Sequence, residues 1–137
     1  MRSLSDIAEE WDFLERDDRW KLLIELGEAL EEMPVALKTD QTKVRGCASD
    51  VWLYPLPTQK SDRLHYLADS NSSFTKGIVA LVLAAVQDKP ATEIAEMDIT
   101  KKLSPFNLKN QFTSQRTQGV PNMIALVKEH AARIAAA

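Results

Sequence analysis

The sequence predicts an α+β fold, with a small antiparallel sheet of about three strands packed against several helices. Three observations carry that prediction. The apolar period is near 3.6 at both ends of the chain and near 2 in the middle. The segment from Asn71 to Gln87 is apolar almost all round, as a central core helix is. The strand-like runs Asp50–Leu56 and Arg63–Asp69 are separated by a short polar loop, as in a hairpin. The chain has 137 residues, of which 45% are hydrophobic and 27% charged. That is ordinary globular usage in one domain's length, and residues 1–137 are taken as a single domain.

The elements follow in order. Ile7, Trp11 and Leu14 recur at helical spacing behind Ser3 or Ser5 as cap. Asp17 and Asp18 restart the chain into a second helix. Its stripe is Trp20, Leu23, Leu26, Gly27 and Leu30, and Pro34 is expected to end it. A polar approach, Val35–Gly46, leads to Cys47, and Lys43–Gly46 is a candidate short third strand. Asp50–Leu56 is β-branched and aromatic, with Pro55 and Pro57 placing its end at a sheet edge or terminus. Leu64, Tyr66 and Ala68 alternate along its partner. Asn71, Ser72 or Ser73 caps the core helix. Pro90 opens a short helical stretch, and Asp98–Gln118 reads as irregular. Gly119 and Pro121 open a last helix that buries Met123, Val127, Ala131 and Ile134.

Bulk properties exclude several functions. Seventeen Lys and Arg against 20 Asp and Glu leave a net charge of −3, which argues against nucleic-acid binding or an anionic membrane surface. The longest apolar run, Gly77–Val86, is about half of what a membrane-spanning helix needs. The acidic N-terminus does not read as a secretory signal, so a cytoplasmic location is expected. Cys47 is the single cysteine. An internal disulfide, a multi-cysteine zinc site and a self-contained iron–sulfur site are therefore excluded, and no metal site is expected.

One thiol must then be explained on its own. Gly46 precedes Cys47 and permits a tight turn. Arg45 and Lys43 place positive charge beside it, which favours the nucleophilic thiolate. His65 and His130 are the only candidate bases for a cysteine hydrolase, and both read more simply as packing or surface residues. The acid pairs Asp17–Asp18 and Glu31–Glu32 read as helix-end charges. The three tryptophans read as packing residues, and Gly77 as a point of close helix–sheet contact.

The run Val44-Arg-Gly-Cys-Ala-Ser-Asp-Val-Trp52 resembles the SufE family pattern of Val, any, Gly, Cys, any, Ser, any, Val, Trp. The resemblance continues through Leu22–Gly27, Asp69-Ser70, Lys76-Gly77 and Thr113–Gly119, with Met123 and Ile124 in register behind. It spans nearly the whole chain in order. It implies the fold shared by SufE and the IscU-type cluster scaffold. It also implies a sulfur acceptor and activator rather than a stand-alone enzyme. Such a protein takes persulfide sulfur from a PLP-dependent, SufS-like cysteine desulfurase onto Cys47 and passes it toward a downstream iron–sulfur scaffold. The PLP belongs to the partner, and no cofactor of its own is implied. Arg45, Gly46, Ser49, Asp69, Arg116, Gln118 and Gly119 are implied as the partner-binding and thiolate environment. Val51, Trp52 or the core helix is the expected shelter for the loaded sulfur. The alternative is a cysteine redox sensor or regulatory module without sulfur transfer.

Overall fold

The protein is described by a computed structural model over residues 1–57, 62–111 and 117–136. Helix α1, Leu4–Phe13, starts where the Ser3 hydroxyl accepts the Asp6 N–H at 3.2 Å. It buries Ile7 and Trp11. Helix α2, Arg16–Glu28, carries Asp17 and Asp18 in its first turn, where carboxylates suit the helix dipole. It ends well before Pro34. The Ala29 and Leu30 N–H groups bond the Glu25 and Gly27 carbonyls and close the last turn. Pro34 instead leads into a 3-10 turn, Val35–Leu37.

Strand β1, Val51–Pro57, pairs antiparallel with β2, Arg63–Ser70, with Leu53 opposite Ala68 and Pro55 opposite Tyr66. Val51, Leu53, Leu64, Tyr66 and Ala68 form the buried face. Four of the loop residues, 58–61, lie outside the described part. The third strand is not Lys43–Gly46. That segment makes one isolated bridge, Lys43 to Trp52, with the Val44 N–H on the Val51 carbonyl at 2.7 Å. Pairing goes no further because Gly46, at φ +80°, turns the chain away. The third strand, β3, is Lys89–Pro90 beside the start of β2, in the order β1-β2-β3. It is brought there by the turn at Asp88, whose φ is +59°. The Gln87 side-chain amide completes the turn by donating to the Tyr66 carbonyl at 2.8 Å and accepting the Tyr66 N–H at 2.7 Å.

Helix α3, Ser73–Val86, is capped by Ser72 and buried on nearly every side, between the sheet and α2. Gly77 meets α2 rather than the sheet. A β-carbon there would sit 2.2 Å from the Leu23 carbonyl oxygen, and one at Gly27 would sit 2.9 Å from the Gly77 nitrogen. The two glycines let the helix backbones touch.

Pro90 caps α4, Ala91–Glu96. The segment expected to be irregular is helical in pieces. It comprises α5 (Ile99–Leu103), a 3-10 turn (Ser104–Phe106) and α6 (Leu108–Gln111). Ile99, Leu103 and Phe106 are buried at i, i+4, i+7. Pro105 and the left-handed Asn107, φ +49°, break that stripe and obscure it in the sequence. Helix α7, Val120–Ala136, packs on α4 and buries Met123, Ile124, Val127 and Ala131. Ile134 is only partly buried against the core.

Candidate functional site

Cys47 sits in a loop stitched at both ends. Before it, Val44 is bonded to Val51. After it, the Asp50 N–H donates to Asn71 Oδ1 at 3.1 Å, and the Asp50 carbonyl accepts the Ser70 hydroxyl at 2.7 Å. The loop lies on the start of α7. Gly46 is pressed against the Asn122 side chain, and Cys47 Sγ against Gly119.

The thiol is half-buried at the edge of a cavity of about 510 Å³. Trp20 and Ile24 of α2, Phe74, Ile78 and Val79 of α3, and Met123 of α7 form its apolar walls. The Trp20 and Phe74 rings pack with centroids 4.6 Å apart. Ser49, Ser72, Ser73 and Thr75 are the polar residues of its lining. The first turns of α3 and α7 both border the space, and helix N-termini favour anionic sulfur. Val51 and the core helix line it. Trp52 does not, and instead carries the Lys38 ammonium 5.6 Å from its ring centroid.

The charge beside the thiol differs from expectation. Burial pushes the Cys47 thiol up, against the thiolate. Lys43 is engaged by Asp50 at 2.9 Å, and Arg45 is exposed. The walls that take water away from the sulfur thus disfavour the thiolate.

Of the implied residues, Gly46, Ser49 and Gly119 are brought together with Cys47. Gln118 is exposed next to Gly119. Asp69 is held elsewhere, between Lys38 at 2.5 Å and Lys76 at 3.2 Å. Burial alone would raise its carboxyl. The Lys38 ammonium, the Ser70 N–H and Lys76 override that and hold it below the usual range. Arg116 lies outside the described residues. Trp20 and Met123, read in the sequence as apolar helix positions, line the cavity with Phe74, and Asn122, which no sequence signal marked, packs on Gly46.

Neither histidine lines the Cys47 cavity. His65 bonds Glu31 at 2.7 Å and Asp88 at 2.8 Å, and the His130 ring stacks near Tyr66 with centroids 6.3 Å apart. Among the described residues, no group of three His, Cys, Asp or Glu is placed to hold a metal ion, and no helix is long and apolar enough to cross a membrane.

The family model for SufE, a Fe-S metabolism associated domain, matches residues 5–131. The chain belongs to the SufE family. An uncharacterised SufE-like protein of Rhizobium etli is 37% identical over 140 residues, covering 100% of this chain and 95% of that protein. The cysteine desulfuration protein SufE of Wigglesworthia glossinidia brevipalpis is 27% identical over 84% of this chain and 79% of its own length. The sulfur acceptor protein CsdE of Escherichia coli is 29% identical over 76% of this chain and 70% of its own length. The solution structure of a hypothetical protein from Thermus thermophilus superposes with a TM-score of 0.78 over 98% of this chain and 96% of that one, at 12% identity, and shares this α+β fold.

Proposed function

We propose that this SufE-family chain accepts persulfide sulfur on Cys47 from a PLP-dependent, SufS-like cysteine desulfurase and passes it on for iron–sulfur cluster assembly. The observation that carries the reading is a lone thiol lining a cavity with room for added sulfur and, among the described residues, no histidine in its lining and no group placed to hold a metal ion. In the loading step the Cys47 thiolate attacks the outer sulfur of the donor persulfide. The donor S–S bond breaks, and the donor cysteine leaves as thiolate, so no external oxidant is consumed. The chain is a covalent carrier and desulfurase activator in this reading, working in the cytoplasm, and the PLP stays with the partner. One thiol suffices to carry sulfur and is too few to hold a cluster. Exposed Arg45 and Gln118 flank the loop as docking positions, with Arg116 as a further one.

Intact mass after incubation with a desulfurase and cysteine tests this. The wild type gains one sulfur that reductant removes. Cys47→Ser gains none and no longer stimulates the desulfurase. Absence of any gain, together with ready oxidation of Cys47 by peroxide, would select the redox-sensor reading.

A further inference from the structure

We propose that Gly119 is a positioning residue that seats Cys47: the room a side chain would take at 119 is the room the thiol occupies. A β-carbon at Gly119 would lie 2.2 Å from Sγ, 3.0 Å from Cβ and 3.1 Å from Cα of Cys47, and these are its three nearest neighbours. Atoms in packed interiors do not approach so closely, so a side chain there displaces the cysteine. Backbone conformation does not explain this glycine. Of the described glycines, only Gly46 has a positive φ. Three residues further along, Asn122 Nδ2 occupies the corresponding space at Gly46, 2.1 Å from where a β-carbon would lie. The start of α7 therefore receives two consecutive loop residues, the glycine on Asn122 and the cysteine on Gly119. A seated thiol faces the cavity, and an unseated one is pushed toward solvent.

The inference deepens the carrier reading and rests on it for its consequence, that seating shields the sulfur between visits to the partner. The seating itself belongs to the free chain and is measured with no desulfurase present. Alkylation of Cys47 by iodoacetamide is followed by intact mass over about pH 6 to 10 in wild type and Gly119→Ala, alongside thermal unfolding. The variant is expected to alkylate roughly tenfold faster at neutral pH, with the midpoint of its pH profile moved down toward that of an ordinary thiol. A folded variant with the rate and midpoint of wild type overturns the proposal. So does one that melts lower without moving the midpoint. If Gly119→Ala does not fold, the double variant Cys47→Gly/Gly119→Ala decides. Recovery of folding supports a clash with the cysteine, and a double variant that stays unfolded refutes it. Failure of the carrier reading appears separately, as wild type that gains no sulfur, and leaves the alkylation result standing.

Discussion

His65 and His130 are opposite answers to burial. His65 has a carboxylate on each ring nitrogen, and only the imidazolium can donate to both. Burial alone would lower its pKa. The bonds to Glu31 and Asp88 prevail and raise it above the ordinary 6.5. Its contribution to stability is therefore complete below that value and is lost as pH rises through the folded-state pKa. His130 is lowered, chiefly by burial, and no described group hydrogen-bonds its Nδ1. Its contribution is complete above 6.5 and is lost as pH falls through the lowered value. Proton NMR should show His65 titrating above 6.5 and His130 below it. His65→Gln should abolish the alkaline part of the stability loss measured by urea unfolding. Coincident titrations near the ordinary value would refute both assignments. Cys47 was legible at this scale from the residues around it. The upward push that burial gives its thiol was not, because the walls that desolvate it come from α2, α3 and α7, far away in sequence.

The close backbone approach of α2 and α3 is set by two glycines, beside the Trp20–Phe74 ring contact. Gly77→Ala would drive a methyl into the Leu23 carbonyl and should cost about 1–3 kcal/mol, read as a lowered urea midpoint at unchanged slope. An unchanged midpoint would show that the helices separate without cost. The sequence placed a close approach at Gly77 correctly but assigned it to the sheet, since a lone glycine does not say which neighbour it admits. The hairpin was legible because alternation and two prolines agree on it. The third strand was not. Lys89–Pro90 is two residues long, too short for any period, and it is placed by Gln87 and Asp88 rather than by its own composition. The helical pieces between Asp98 and Gln111 carried a legible stripe in Ile99, Leu103 and Phe106, overruled by the breakers Pro105 and Asn107.

Across the whole molecule, one apolar cluster runs from Ile7 through α3 to Ala131, so both ends of the chain share a core with the sheet. Tyr66 ties the layers together, with its buried hydroxyl donating to the Val127 carbonyl of α7 at 2.9 Å. Burial pushes its phenol well above the usual value, so it remains a donor throughout the working pH range. Tyr66→Phe should lower stability by about 1 kcal/mol and leave sulfur loading of Cys47 intact. Loss of loading at full stability would show that the link reaches the thiol.

The glycine contact between α2 and α3 has a second effect. Trp20 stands one turn before Leu23 and Ile24 directly after it, and Phe74 and Ile78 stand in the same relation to Gly77, so the residues on which the helices touch are interleaved with two walls of the Cys47 cavity. The spacing of two backbones thus gauges the width of the chamber behind the thiol. Two missing methyl groups, on glycines that are themselves buried, thereby set how much room lies beside Cys47.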